Sequence, residues 1–249
     1  MAFVHLHNHT EYSMLDGATK IKDMVRRAAD LDMPAVAITD HGVMCGVPEL
    51  CDACDAVEKE TGKRVKPIYG CEIYFTEDPE VGTKNKSRLY HMLLLAKNNV
   101  GYHNLVHLVS ESHVDNFYYK PRTTFDMLQR YSEGVIAASA CIAGIIPRYI
   151  DARDYEGARE WARKFADLYA PGDFYLELQD HGITTNGGMT QHEMNVELVK
   201  IANELGLKTI ATNDFHYLTR EDRTSCCASA PAPTWTTKTA CASKTTSSI

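Results

Sequence analysis

The sequence has no long apolar run. None of its 249 residues falls in a stretch that approaches the roughly 18 consecutive apolar residues needed to cross a bilayer. Its beginning, Met1 to His5, also lacks the cationic segment and apolar core that are typical of a secretory signal. We therefore expect a cytoplasmic protein with no membrane partner.

An excess of basic charge is also missing. The formal net charge is −7, from 26 Lys and Arg against 33 Asp and Glu. A broad basic surface for nucleic acid is thereby excluded, because such surfaces draw their affinity from many Lys and Arg contacts to phosphates. Any nucleic acid would have to be bound locally, through metal ions and a few basic side chains.

The cysteines do not form a disulfide framework. Of eight cysteines, five lie in the body of the chain, at positions 45, 51, 54, 71 and 141. Cys51 and Cys54 form a CxxC pair on a helix-like stretch, with no second pair to complete a zinc knuckle. We expect reduced thiols there, with a redox or metal role as the alternative.

The last 27 residues lack almost every residue type that builds a core. From Arg223 to Ile249 there is no Asp, Glu, Gly, Leu, Val, Phe or Tyr, and 20 of 27 residues are Ser, Thr, Ala or Cys. We predict a disordered tail over 223–249 and a folded domain over 1–222. We also interpret the tail as a frameshift product, a hypothesis that the nucleotide sequence around codons 222–225 would test.

The body alternates short β-type runs with amphipathic helical stretches. Seven strands are predicted, at Phe3–His7, Ala35–Thr39, Pro67–Tyr74, Tyr90–Ala96, Gly134–Ala138, Phe174–Leu178 and Thr209–Thr212. Strands that alternate with helices favour an α/β fold in which a parallel sheet closes into a barrel. The polar connections 76–88 and 113–123 are predicted to be loops over the mouth of the barrel.

Side chains of the kinds that bind metal ions recur where these runs end. His7 and His9 share one face of the first strand, because side chains alternate along a strand. His5 has the same parity, but we expect it to pack or to support a ligand, since it sits deeper in the strand. Glu72 lies within an apolar run, where a carboxylate is costly to bury unless it is paired or bound to metal. The full set of candidate ligands is His7, His9, Asp16, His41, Glu72, His91, Cys141, Asp214 and His216.

Each of these residues alone is a weak signal. A single buried histidine is more often hydrogen-bonded than bound to metal, and a single cysteine at a strand end is usually structural. Together they favour a metal cluster, because ligand types stand at six of the seven predicted strand ends. Asp180 and His181 follow the remaining predicted strand. We expect them to support the ligands, to face the substrate or to have a structural packing role. Asp40 is a further candidate to support the ligands or to face the substrate.

Longer strings of residues carry a resemblance to a known family. They are His5 to Gly17, Phe117 to Arg122 and Leu176 to Gly182, together with the ligand positions above. Over about residues 3–222 the chain resembles the polymerase and histidinol phosphatase (PHP) domain family, in the branch carried by the alpha subunit of bacterial replicative DNA polymerases. The resemblance implies a distorted seven-stranded (β/α) barrel with three divalent ions, zinc or manganese, with magnesium or iron as alternatives. All nine ligand positions of the family hold competent side chains here.

The resemblance also implies how the ligands are shared. One ion takes His7, His9, Glu72 and Asp214, a second shares Glu72 and adds His91 and Cys141, and a third takes Asp16, His41 and His216.

The function that follows is metal-dependent hydrolysis of phosphodiester bonds in DNA replication, as a 3′–5′ exonuclease acting on a DNA 3′ end. Lys120 and Arg122 are candidates to bind a substrate phosphate, and Tyr118 and Tyr119 to stack on a terminal base, with solvated charge and local packing as the alternatives. Expected partners are the remaining domains of the polymerase alpha subunit and other replisome subunits. Two alternatives stay open: a metal-stapled scaffold without activity, and a phosphatase for a small ester such as histidinol phosphate.

Overall fold

The computed structural model describes residues 3–78, 88–219 and 221–222. Within them the strands are β1 Ala35–Ile38, β2 Lys66–Phe75, β3 Tyr90–Ala96, β4 Phe117–Tyr118, β5 Lys120–Thr123, β6 Val135–Ala138, β7 Phe174–Leu178 and β8 Lys208–Ala211. The helices are α1 Ile21–Asp30, α2 Val47–Thr61, α3 Asn99–Val114, α4 Phe125–Arg130, α5 Ile145–Asp151, α6 Tyr155–Leu168 and α7 Gln191–Leu205. The predicted α/β class is confirmed, and none of the described helices is long and apolar enough to span a membrane.

The eight strands form one sheet in the order β4-β5-β2-β3-β6-β7-β8, with β1 paired to β2. The prediction that the sheet is parallel throughout is wrong for β3, which runs antiparallel to both β2 and β6. The apolar pattern of a strand reports which faces are buried, and it carries no information on the direction of the neighbouring strand. The other pairs among the predicted strands are parallel.

The beginning of the described chain connects the two ends of the curled sheet. No continuous strand forms at the predicted position Phe3–His7; two isolated bridges, His5 to Val36 and Asn8 to Phe215, stand in its place. The side-chain amide of Asn8 donates to the carbonyls of His5 (3.0 Å) and Ala37 (2.8 Å). This segment therefore lies between β1 and the residues after β8, which brings the first and last parts of the fold together.

A hairpin replaces part of a predicted loop. Strands β4 and β5 pair within the connection 113–123, and β5 also pairs with β2 through Tyr74 and Arg122. The Nε–H group of Arg122 donates to the carbonyl of Asn116 (3.2 Å), and its side chain is buried. The hairpin is thereby attached firmly to the sheet.

Of the other predicted loop, 76–88, residues 79–87 lie outside the described part.

Capping side chains explain where several helices begin and end. Asn98 accepts the backbone N–H of Gly101 at the start of α3, and Thr190 forms a capping box with Glu193 at the start of α7. Gly62 and Gly206 end α2 and α7 in the left-handed conformation that glycine adopts without strain.

The core has three parts that surround the sheet. Helices α3 to α7 pack on the outer face of β2, β3, β6 and β7 around residues such as Phe75, Leu94 and Phe165. Helices α1 and α2 pack around Ile21 and Leu50 on the outer face of β1. A small cluster that includes Leu93 and Ala138 fills the inside of the curled sheet. Because this inner space is narrow, polar side chains at the strand ends above it are forced close together.

Candidate metal centre

The strand ends bring all nine candidate ligands to one end of the curled sheet. His41 follows β1 and forms a bridge with Glu72 of β2, while Tyr74 of β2 stands opposite His91 of β3. Cys141 follows β6, and Asp214 and His216 follow β8. His7 and His9 come from the segment that connects β1 with the residues after β8.

Glu72 is the centre of this arrangement. Its Oε1 atom lies 3.2 Å from Nε2 of His7 and 3.0 Å from Nδ1 of His91. Its Oε2 atom lies 2.7 Å from Nδ1 of His41 and 3.5 Å from Nε2 of His9. The residue is only 1% exposed, so a carboxylate that contacts four imidazoles is held out of solvent.

Asp214 is the second shared carboxylate. Its Oδ1 atom lies 3.1 Å from Nε2 of His9, 3.3 Å from Nε2 of His7 and 3.5 Å from Nε2 of His216. The backbone of Asp214 has φ 45°, in the left-handed region that residues other than glycine seldom adopt. Ala140, next to Cys141, also has a positive φ of 59°. Strained backbone therefore accompanies two of the candidate ligands, as is common at functional sites.

Asp16 and Cys141 complete the set on opposite sides. Oδ2 of Asp16 lies 3.2 Å from Nε2 of His41, and its Oδ1 lies 3.7 Å from Nδ1 of His216. Sγ of Cys141 lies 3.6 Å from Nδ1 of His91 and 3.8 Å from Oε1 of Glu72.

Three subsets of these residues have ligand atoms close enough to share an ion. In each subset one atom per residue lies within 4.8 Å of the others: His7, His9 and Asp214; His41, Glu72 and His91; and His9, His41 and His216. The first subset falls within the predicted ligands of one ion. The other two subsets differ from the predicted ligand sets. His41 replaces Cys141 in the set with Glu72 and His91, and His9 replaces Asp16 in the set with His41 and His216.

Several buried atoms of the cluster make close contacts to other candidate ligand atoms but no hydrogen bond of good geometry. They are Nε2 of His7, Nε2 of His9, Nδ1 of His41, Oε2 of Glu72 and Oδ1 of Asp214. Buried polar atoms are rarely left unsatisfied, because the cost is of the order of 1–3 kcal/mol each. All five atoms face the shared space of the cluster, so cations placed there would satisfy them. The residues present thus fit a group of divalent ions.

The charges of the cluster oppose the effect of burial on several groups. Burial alone would raise the pKa of Glu72, but His91, His41 and His7 outweigh it and hold the pKa well below its usual value. Burial would lower the pKa of His41, but Glu72 and Asp16 raise it to about 10. Without cations, protons on the histidines balance the carboxylates, and metal binding would release them.

His9 behaves in the opposite way, and a hydrogen-bond chain explains how it is held. Burial and the neighbouring His41 and His216 lower its pKa to about 3, so the neutral ring that binds metals is present. Its Nδ1 atom lies 2.9 Å from Oγ of Ser13, which donates to Oδ1 of Asp40 (2.7 Å). Nδ1 therefore carries the hydrogen, and the lone pair of Nε2 points at the cluster.

Asp40 supports the cluster from outside it. The buried carboxylate accepts from the backbone N–H of Thr10 (2.6 Å), from the Thr10 hydroxyl (2.8 Å) and from Ser13. Its burial and its hydrogen bonds to Thr10 and Ser13 agree with a supporting role.

Sequence reasoning missed Ser13 and Glu177 as supporting residues. Glu177 lies on β7 with its side chain fully buried, and its Oε1 atom lies 2.7 Å from Nδ1 of His7. The sequence did contain a signal, because Glu177 interrupts the apolar run of β7 as Glu72 interrupts that of β2. Ser13 carries no comparable signal, since a serine in a turn is common.

The candidate substrate residues occupy different environments. Tyr119 is 82% exposed and Lys120 is half-buried, and both line a cavity beside the cluster. Arg122 does not fit its predicted role in binding a substrate phosphate, because its side chain is 2% exposed and anchors the hairpin. Tyr118 lies under the guanidinium of Arg122, 5.5 Å from the ring centre, and does not line that cavity.

The remaining two candidates lie on the loop after β7. His181 is half-buried, and its backbone N–H donates to Oε1 of Gln191 (2.7 Å). Burial lowers the pKa of His181 against the opposing effect of Asp214, which places its ring within electrostatic reach of the cluster. Asp180 is exposed, and its Oδ1 atom accepts the N–H of Gly182 (3.2 Å).

The amino-acid sequence of this chain has counterparts among known proteins. The PHP domain model matches residues 5–181, and the chain belongs to this family. The match ends before Asp214 and His216, and the assignment of these two residues as candidate ligands is supported by their contacts with His7, His9 and Asp16.

Relatives within the family include bacterial polymerase subunits. The chain is 43% identical over 226 residues to the DNA polymerase III subunit alpha of Borreliella burgdorferi, a match that covers 90% of this chain and 19% of that protein. It is 38% identical over 231 residues to that of Helicobacter pylori strain 26695, covering 89% and 18%. The chain thus spans about a fifth of the length of the curated relatives it matches. Among solved structures, an amidohydrolase from Chromobacterium violaceum is 15% identical to this chain, with a TM-score of 0.47 over 89% of both chains.

Proposed function

We propose that this domain holds three divalent ions and hydrolyses phosphodiester bonds at the 3′ end of DNA. The observation that carries the proposal is Glu72, a buried carboxylate within 3.5 Å of imidazole nitrogens of four histidines. A carboxylate in that position could hold cations together with these histidines, and cations would offset the cost of burying so many ionisable groups.

We propose the ligand sets that the family resemblance implies, which the contacts within the cluster support. His7, His9 and Asp214 hold one ion together with Glu72; Glu72, His91 and Cys141 hold a second, with His41 close enough to join; and Asp16, His41 and His216 hold the third. Five imidazoles and one thiol favour zinc, whereas the three carboxylates also suit manganese. We therefore propose zinc or manganese as the resident ions.

The chain's own residues supply the arrangement in which such ions act. Divalent ions bound there would lower the pKa of a water and stabilise the oxygens of a phosphate under attack. Glu72 and Asp214 supply carboxylates shared among the histidines, and Glu177 and Ser13 orient the rings of His7 and His9. Burial together with Glu72 and Asp214 raises the pKa of the Cys141 thiol, which favours a role as a metal ligand over one as a free nucleophile.

The polymerase relatives support a place for this domain in DNA replication. We propose that the chain is the PHP region of a bacterial DNA polymerase III alpha subunit, and that it works beside the other domains of that subunit and the replisome. The proposed hydrolysis would then remove nucleotides from the strand that the parent enzyme extends. DNA synthesis itself is not proposed for this chain.

A labelled-end assay tests the proposal. The purified protein with Zn²⁺ or Mn²⁺ should shorten the 3′ end of a 5′-labelled oligonucleotide, and His9→Ala and Asp214→Asn should each abolish the shortening. Asparagine suits the left-handed backbone of position 214, so that variant should fold. His103→Ala and Asp167→Asn, at exposed helix positions, are matched controls. Shortening that survives both site substitutions would overturn the proposal, and faster turnover of a small phosphomonoester would redirect it to a phosphatase.

One observation favours a second function, that of a non-catalytic scaffold whose fold is stabilised by structural metal ions. Asp16 and His216 contact each other although they are 200 residues apart in the sequence, so a shared ion would tie the beginning of the domain to its end. A protein that binds zinc and melts at a higher temperature with it, but cleaves no phosphoester, would support this function in place of the first.

A further inference from the structure

A cavity of about 420 Å³ opens beside the cluster and reaches from candidate ligands to an apolar rim. At one end it is lined by Asp16, His41 and His91. At the other end it is lined by Met14, Leu15, Phe117, Tyr119 and Pro121. Its volume is in the range of pockets that bind small ligands, so the cavity is large enough for more than a phosphate.

The rim is exposed to an unusual degree for large apolar side chains. Eleven such side chains are exposed among the described residues, and four of them line this one cavity: Met14, Leu15, Phe117 and Tyr119. Apolar side chains gathered in one place on a surface mark binding sites more often than scattered ones do. Met14 and Leu15 directly precede Asp16, so the apolar rim and the candidate metal ligands form one continuous surface.

The aromatic side chains of the rim are held by ordered structure. Phe117 stacks on the ring of His113 with 5.9 Å between centroids and 25° between planes. Tyr119 packs edge-on against Tyr118 at 4.6 Å. Both project from the β4–β5 hairpin, which the buried Arg122 anchors to the sheet. Flat ring faces on a rigid support are the platform on which nucleic-acid bases stack.

A positive charge lies between the two ends of the cavity. Nζ of Lys120 donates to the hydroxyl of Tyr74 (3.1 Å) and sits 4.8 Å from the centre of its ring. The Tyr74 ring in turn packs against His41 and His91, with centroids 5.9 Å and 5.5 Å away. The cavity therefore offers a cationic side chain beside the cluster and aromatic rings at its rim, which suits an occupant with an anionic group and a planar apolar group.

We propose that this cavity binds the unpaired terminal nucleoside of single-stranded DNA, with the base against Phe117 and Tyr119 and the phosphate beside Lys120 and the cluster. The inference rests on the proposed function and adds which part of the domain distinguishes unpaired DNA ends from paired ones. A base can reach the rim only after it leaves the stack of a duplex. The domain should therefore act on frayed or mismatched ends in preference to paired ones.

Binding separates the role of the rim from the chemistry. The probe is a 5′-fluorescein decathymidylate whose 3′-terminal linkage is a non-hydrolysable methylenephosphonate, and the comparison probe lacks the terminal base. Fluorescence anisotropy with Zn²⁺, repeated in chelator, should show that the protein binds the first probe on the order of tenfold more tightly. The double variant Phe117→Ala/Tyr119→Ala should bind both probes equally, whereas Phe3→Ala, an exposed aromatic outside the cavity, should keep the preference.

A cleavage assay on the same proteins completes the test. Wild type should shorten a mismatched end faster than a paired one, and the double variant should lose most of that ratio while it still cleaves an abasic end. Equal binding of the two probes by wild type, or a preference that the double variant retains, would overturn the inference even if cleavage occurs. No cleavage of any substrate, with the base preference intact, would remove the proposed hydrolysis and leave the nucleoside site standing.

Discussion

His7 Nδ1 and Glu177 Oε1 lie 2.7 Å apart in a fully buried pair. Glu177 also accepts hydrogen bonds from Nε2 of Gln179 (2.8 Å) and from the hydroxyl of Thr212, which hold its carboxylate in place. The hydrogen of His7 is thus directed to Glu177, and the Nε2 lone pair is directed to the cluster. A carboxylate behind a metal-binding histidine fixes its tautomer and raises its basicity.

Glu177→Gln should weaken metal binding without removing a ligand. An amide keeps the shape but loses the charge that orients His7, and loss of such a partner typically costs about 10–100-fold in metal affinity. Competition titration with a zinc chelator of known affinity measures the change. Glu197→Gln, an equivalent change on α7, should leave the affinity unaltered; similar affinities for both variants would show that Glu177 does not act through His7.

Cys141→Ser should lower the number of bound ions. A serine hydroxyl is a far poorer ligand for zinc than a thiolate, so elemental analysis after dialysis should find one ion fewer per chain. Cys45→Ser changes an exposed thiol and should retain the full number. Identical metal contents in the two variants would place Cys141 outside the ligand set.

Removal of metal should destabilise the fold. Ions that bind only the native state add about 2.7 kcal/mol of stability at a concentration of 100 Kd, so a chelator should lower the melting temperature and added zinc should restore it. The Asp214→Asn variant lacks a shared ligand and should show a much smaller zinc-dependent shift. A melting temperature that zinc does not move in the wild type would contradict the metal cluster.

His5 should contribute an acid-sensitive part of the stability. Burial lowers its pKa from 6.5 to about 4, and its ring packs edge-on against Phe3 and Phe215. Between pH 6.5 and 4 the unfolded chain binds this proton and the folded chain does not. The contribution is therefore complete above pH 6.5 and is lost as the pH falls towards 4, with a slope of up to about 1.4 kcal/mol per pH unit.

The variant His5→Leu isolates this contribution. Urea unfolding at several pH values should give a free energy of unfolding that falls less steeply between pH 6.5 and 4 than in the wild type. Equal slopes for the two proteins would mean that His5 is protonated in the folded state as readily as in the unfolded chain.

Local patterns predicted the elements better than their arrangement. The bounds of β3 and β7 agree with the predictions residue for residue, because each is a short apolar run with clear ends. The strand predicted at Phe3–His7 is wrong: only isolated bridges form there, and the side-chain amide of Asn8, instead of a backbone N–H group, donates to the carbonyl of Ala37. Arg122 was expected at a mouth loop, and its burial depends on β5 joining β2, a pairing between residues far apart in the chain. The predicted tail and domain boundary, 223–249, lie outside the described residues and stay predictions.

The sequence by itself determined which ligand types the chain carries and that they follow its apolar runs, because both are local properties of the residue order. Only the tertiary structure decided that Glu72 stands among four imidazoles, that Glu177 and Ser13 hold two of them, and that an apolar rim adjoins the cluster. These relationships depend on how the sheet curls and how its two ends are joined. Such long-range geometry brings the side chains of His7 and Asp214, which are 207 residues apart in the sequence, into contact, and no window of the sequence contains it.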